Sequence, residues 1–202
     1  MAEVFYPVFE GWLPYSYYQD YMNVHDANNA SEVWYGSSML IGQAVIQIEG
    51  NWRLYVISRG IAEWEVVFPT GMVVGSAHFR ICLENKTDME DNDKLVAVRG
   101  DFADTPTKYD YHSLLNEVTS YAELPVTEMV NGAYYDLEIT GAGLSSIKNG
   151  GLTKFAFRSY KDIMAQAPLG FITKDESMDL SQGIELHVDF VPPSSESFVQ
   201  II

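Results

Sequence analysis

The feature that most constrains this chain is a strict two-residue alternation of apolar and polar side chains. In Gly183–Val191, Ile184, Leu186, Val188 and Phe190 alternate with Glu185, His187 and Asp189. Successive side chains of a strand point to opposite faces, so this pattern specifies a strand with one dry face and one wet face. Tyr134–Thr140 repeats it, with Tyr135, Leu137 and Ile139 against Tyr134, Asp136 and Glu138. His78–Glu84 sets Phe79, Ile81 and Leu83 against His78, Arg80, Cys82 and Glu84. In Gln43–Glu49 the same reading turns Ala44, Ile46 and Ile48 inward and Gln43, Val45, Gln47 and Glu49 outward. Further strands are predicted at Trp52–Ile57, Arg59–Phe68, Leu95–Arg99 and Leu152–Arg158.

Turn residues that tolerate positive φ separate these runs, at Glu49-Gly50-Asn51, Thr70-Gly71 and Asn149-Gly150-Gly151. Two short segments read as helical. Tyr111, Leu114, Leu115 and Val118 share one helical face, and Gly141–Lys148 carries Leu144 and Ile147, with Thr140 as N-cap and Gly150 past the end. Many short strands with one wet face give the expected class: all-β, a jelly-roll β-sandwich with two short helical segments. The reading places one domain over residues 1–191 and a linker with an apolar tail over residues 192–202.

Charge limits the partners. Lys and Arg number 12 against 28 Asp and Glu, for a net charge of −16. Such a field repels nucleic acid, anionic membrane surfaces and polyanionic substrates, so no nucleic acid and no membrane is expected as a partner. Residues 1–50 contain six acids and no Lys or Arg, which leaves a neutral glycan or a basic protein surface as the compatible contact there. The lone Cys82 excludes an internal disulfide and reads as a half-buried structural thiol. Met1-Ala2-Glu3-Val4-Phe5 lacks the basic and apolar parts of an export signal, so the general export route is not expected.

The usual catalytic signatures are missing: no Gly-x-Ser-x-Gly, no His-Glu-x-x-His and no phosphate-binding glycine loop. Glu63 and Glu65, two apart on one strand face, match the spacing of a hydrolytic carboxylate pair and also that of any solvated strand. The acidic stretch 84–93 offers oxygen atoms for calcium but departs from the EF-hand pattern, and a charged hairpin tip is the preferred reading. The expectation is a non-enzymatic protein with no catalytic residue, no metal and no cofactor. Aromatic residues crowd the start of the chain, and an aromatic ring offers an apolar face for a sugar or protein partner. Tyr17, Tyr18, Tyr21, Trp34 and Tyr35 are therefore the candidate ligand-binding residues.

Several motifs of the second half occur in a familiar order. They are Leu144-Ser145-Ser146-Ile147, then Gly151–Ser159, then Asp162-Ile163, then Ala167-Pro168, then the strand Ile184–Phe190. With Arg59-Gly60-Ile61-Ala62-Glu63-Trp64-Glu65 upstream, they resemble the DNRLRE or disaggregatase-related β-sandwich family over roughly residues 55–191. The resemblance implies a jelly-roll that is seldom an enzyme, found in carbohydrate-binding modules and in phage and virus structural proteins. Arg158 begins a long loop that Asp162 can pin as a latch; a ligand-binding role is the other reading of Arg158.

The functional expectation is a non-enzymatic virion structural protein, of accessory, decoration or fibre type. It is made in a host cytoplasm, assembles with itself and other virion proteins, and contacts a neutral glycan on the host. The alternative is a carbohydrate-binding protein that recognises a neutral glycan. The apolar tail, Phe198, Val199, Ile201 and Ile202, is the candidate subunit interface, by addition to a sheet edge on a neighbour.

Overall fold

The computed structural model describes residues 1–18, 20–36, 38–48, 52–87, 89, 92–168 and 174–193, with backbone alone for 174, 181 and 182. The strands are β1 (Ala2–Phe5), β2 (Phe9–Tyr18), β3 (Trp34–Tyr35), β4 (Ser38–Gln47), β5 (Arg53–Val66), β6 (Val73–Thr87), β7 (Lys94–Arg99), β8 (Ala122–Pro125), β9 (Ala133–Glu138), β10 (Gly151–Ser159) and β11 (Lys174–Val191). Four short helices join them: α1 (Tyr21–His25), α2 (Asp110–Ser113), α3 (Gly141–Leu144) and α4 (Tyr160–Ile163). Strand takes 54% and helix 13%, so the chain is an all-β sandwich with short helical connections. Among the described residues no helix is long and apolar enough to cross a membrane.

All the pairings are antiparallel, and the main path runs β8-β7-β10-β5-β4-β11-β6-β9. Two long strands fold this path into layers. β2 follows one edge of β5 from Leu54 to Glu63, while the other edge passes from β4 at Arg53–Ser58 to β10 at Gly60–Val66. β11 likewise holds β6 along one edge and gives the other to β4 and then β1. One layer is therefore β8-β7-β10-β5-β2 and the other is β9-β6-β11-β1, with β4 as the corner.

The inner faces meet in the larger core, where Trp64, Phe79, Phe155 and Phe157 pack with ring centroids 4.9–6.1 Å apart. Burying each such ring contributes about 1.5–3 kcal/mol. The Trp64 indole donates to the Ile184 carbonyl across the layers at 3.0 Å, so its one polar atom is satisfied. The alternation predicted for β6, β9 and β11 is the one found: Phe79, Ile81, Leu83, Leu137, Ile139, Ile184, Leu186, Val188 and Phe190 all enter this core. Cys82 is buried as a free thiol.

The outer face of the first layer is also covered. Leu13, Ile57, Ile61, Val96, Val98 and Ala156 of the sheet meet Tyr21, Val24, Tyr111 and Leu114 of the helical connections in a second core.

Several expectations need correction. Residues 53–66 form one strand where two were predicted, because a strand can continue while its neighbour changes. The predicted faces of β4 are reversed: Gln43 and Val45 are buried, whereas Ile46 and Ile48 are exposed. The odd-numbered residues from Met39 to Val45 are buried, and Gly42 marks where they pass from one core to the other. This glycine has φ +134° where β4 parts from β5, and a Cβ there would lie 2.2 Å from the Glu176 carbonyl oxygen. Before Gly42, Met39 and Ile41 enter the inter-layer core; after it, Gln43 turns to the Tyr21 hydroxyl. Both expected helical segments are present, and among the described residues α1, α4 and two 3₁₀ turns, Leu114–Asn116 and Val126–Glu128, add to them. The helix predicted from Tyr111 ends within a turn and continues as 3₁₀ through Asn116, leaving Val118 exposed. In place of the long loop expected from Arg158, β10 runs on to Ser159 and α4 follows at once.

Candidate functional site

The most concentrated group of charges lies in the second core. Arg59 stands between Ile57 and Ile61 on β5, so strand alternation drives it into that core, and Arg158 on β10 enters beside Ala156. The two guanidiniums share Asp162 of α4. Arg59 donates through Nε to Oδ2 at 2.9 Å and through Nη2 to Oδ1 at 2.8 Å; Arg158 donates through Nε to Oδ2 at 2.6 Å. α4 is placed by its N-cap, where the Ser159 hydroxyl accepts from the Asp162 amide at 3.1 Å.

The remaining donors tie down the connections. Arg59 reaches the carbonyls of Tyr111 and His25, and Arg158 those of Leu114 and Glu117. The Tyr111 ring lies 4.0 Å beneath the Arg59 guanidinium. Burial alone would raise the Asp162 pKa, but the charges of Arg59 and Arg158 and their hydrogen bonds hold it well below the ordinary carboxylate range.

A second cluster adjoins the first. Lys161 contacts Glu176 at 2.9 Å, and Gln43 bridges Glu176 to the Gln166 carbonyl while accepting from Tyr21. The side chains of Arg59, Arg158, Asp162, Lys161, Gln43 and Glu176 are buried and each has at least one partner, with Arg158 Nη2 left without a hydrogen bond among the described residues, so the assembly fastens the helical layer to the sheet. The expected Arg158–Asp162 latch is present; Arg158 is 0% exposed, which removes it as a ligand contact. Tyr21 is also corrected: its hydroxyl is spent on Gln43 and its ring packs on Tyr55.

The other aromatic candidates lie on the surface in two places. Trp34 faces Trp12 across the β2–β3 ladder, stacked at 5.7 Å and 7°. Tyr35 meets Phe9 edge-on at 5.4 Å, beside a shallow hollow of about 330 Å³ between Pro7 and Gly36. Tyr17 and Tyr18 stand at the end of β2, opposite Tyr55 and Leu54. Tyr17 and Tyr15 wall a hollow of about 340 Å³ whose other sides are Asn23, Asp26, Ala27, Asn28 and Asn29. Its floor is fixed by α1, whose N-cap Asp20 accepts from the Met22 amide, and by His25, whose Nδ1 lies 2.5 Å from Asp26.

Sequence reasoning missed Asn23, Asp26, Asn28 and Asn29. The amide-rich run directly after the tyrosines was the available signal. It also missed Arg59 as the second clamp on Asp162, although an arginine between two inward isoleucines marks a polar group inside the core.

Folding joins two of the four histidines. His78 and His187 are cross-strand partners and stack at 4.6 Å on the wet face, with Glu185 2.8 Å from His187. Among the described residues no group of three His, Cys, Asp or Glu is arranged to hold a metal. Glu63 is buried while Glu65 is exposed. Of the acidic stretch 84–93, residues 88, 90 and 91 lie outside the described residues, as do Phe198, Val199, Ile201 and Ile202.

A scan against protein-family models finds no match, and a search of the curated proteins finds no significant relative.

Proposed function

We propose that this chain is a non-enzymatic structural component of a virion-type particle, working through surface contacts rather than chemistry. One observation carries the reading: the β4–β5 hairpin and the end of β2 present an uncovered apolar face. Tyr18, Leu54 and Ile46 are direct neighbours across three strands, and Trp52 and Ile48 extend the row to the hairpin end. Tyr18, Ile46, Ile48 and Trp52 are exposed, so another protein surface is the natural cover. The resemblance to the DNRLRE family supports the same reading, since structural proteins of phages and viruses are one of its settings.

A second reading, recognition of a neutral glycan, is favoured by the Tyr15–Tyr17 hollow. Amides, one carboxylate and two phenol rings, with no cation among them, match hydroxyl groups and the apolar face of an uncharged sugar.

One comparison separates the two. Solution mass is measured for the wild type and for Tyr18→Ser/Ile46→Lys, alongside NMR titration of both with neutral oligosaccharides. The structural reading expects a wild-type oligomer, a variant monomer and labelling of native particles by antibody against this chain. A wild type that stays monomeric and labels no particle overturns it. Saturable sugar binding abolished by Tyr17→Ala then establishes the glycan reading, and its absence excludes that too.

A further inference from the structure

The whole-chain charge of −16 hides a cleft at the surface where cations gather. Three of the 12 Lys and Arg residues, Arg99, Lys148 and Lys154, line a single cleft of about 450 Å³. It lies between the end of β7, the start of β10 and the turn after α3, and none of its residues borders the Tyr15–Tyr17 hollow. Two glycines build it. Gly100 carries the chain so close to β10 that a Cβ would lie 2.7 Å from the Lys154 carbonyl carbon. Gly143 lets α3 close on Tyr121, where a Cβ would approach the Tyr121 Cβ to 2.9 Å. Changing either residue would move a wall of the cleft.

The cations differ in their engagement. Lys154 is held in place by the Phe102 carbonyl at 2.8 Å and Asp104 at 2.6 Å. Arg99 and Lys148 are exposed, and neither side chain makes a hydrogen bond or close ion pair among the described residues, although the charge of Lys148 acts on Asp104. Ser145 and Ser146 add hydroxyls, Tyr121 adds a half-buried ring, and Asp101 is the one acid in the lining. At physiological salt, charges more than about 8 Å away are largely screened, so a small ligand meets this local set rather than the acidic surface beyond it. A long polyanion would still be repelled by that surface.

We propose that this cleft binds a small oxyanion carried on a sugar-sized ring, a sugar phosphate or a sugar acid. Arg99 supplies a two-pronged donor for the anionic group, Lys148 a second charge, and Tyr121 a face for the ring. The size fits, since ligand pockets run from about 300 to 1,000 Å³. The site is independent of the neutral-glycan reading.

The test is titration of the full chain, followed by NMR, with glucose 6-phosphate, glucuronate, glucose and inorganic phosphate. One or both anionic sugars should saturate below about 10 mM, with glucose inert and phosphate weaker; the tighter of the two names the ligand class. Arg99→Ala and Lys148→Ala, both at exposed positions, should each weaken binding about tenfold, equivalent to about 1.4 kcal/mol, without changing the melting temperature. Affinity should also fall as salt rises from about 20 to 150 mM. The proposal is overturned if neither anionic sugar saturates, if glucose or bare phosphate binds as tightly, or if binding persists in the Arg99→Ala/Lys148→Ala double variant.

Discussion

The β8-β7-β10-β5-β2 sheet is covered on both faces by opposite means. Toward the second sheet, Trp64, Phe155 and Phe157 bury rings against Phe79 with one cross-layer hydrogen bond. Toward the helices, the same two strands send in Arg59 and Arg158, which grip Asp162 and the carbonyls of His25, Tyr111, Leu114, Leu115 and Glu117 in the connections. The difference follows from what lies opposite. A facing sheet satisfies its own backbone and needs only apolar cover. Short helices and irregular connections bring orphaned carbonyls, which arginine donors can satisfy. Apolar packing tolerates changes of shape, whereas a buried ion network fails when one member is removed.

Near-isosteric changes on the two faces should therefore differ widely. Asp162→Asn leaves two buried guanidiniums without their shared anion and should cost about 3–5 kcal/mol. Phe157→Leu, on the opposite face of β10, should cost less, about 1–2 kcal/mol. Urea denaturation of both variants measures the gap. Equal losses would mean that the network contributes no more than packing.

Acid should expose the same asymmetry at a smaller scale. The Asp162 pKa is lower in the folded chain than in the unfolded one. Its ionisation thus favours folding: the contribution is complete above the unfolded value of about 4 and is lost as pH falls through the folded value. Amide protection factors in α1, α2 and α4 should fall below pH about 4, before those of the facing strands β6 and β11 do. Simultaneous loss of protection on both sides would show that the helical layer has no separate acid sensitivity.

The two faces also differ in how legible they were. The stretches of β6, β9 and β11 that face the inter-layer core alternate closely enough to be read from Phe79, Leu137 or Leu186, with Cys82, buried between Ile81 and Leu83, as the exception. The second core broke that reading because it contains Gln43, Arg59 and Arg158, which a hydropathy pattern assigns to solvent. β4 was inverted for this reason, with Gln43 turned inward and Ile46 left outside. α1 and α4 are four or five residues long, too short to show a period. The Arg158–Asp162 contact was visible because its partners are four residues apart. Arg59 lies 103 residues from Asp162, and only the fold brings them together. The candidate site divides similarly: the tyrosines stood out by composition, while the cationic cleft is assembled from four separated segments.

The smallest effect sharpens the comparison at the edge of the second core. Glu63 follows Arg59 and Ile61 on the same face of β5 but lacks their partners, and its buried Oε2 accepts no hydrogen bond among the described residues. Burial raises its pKa, opposed by the charge of Lys154 and reinforced by Asp104. A carboxyl whose folded pKa is raised stabilises the fold in its protonated form, and that contribution is lost as pH rises through the folded value. Ionised Glu63 is therefore a cost at neutral pH, unlike Asp162, whose charge is matched twice. Glu63→Gln removes the charge and keeps the shape. It should raise stability at pH 7 by about 1 kcal/mol or less, and the gain should vanish below pH about 4, where the wild-type carboxyl is protonated in both states. Thermal melting of the two proteins at both pH values measures this, and a variant less stable at pH 7 would mean that the Lys154 attraction outweighs the burial.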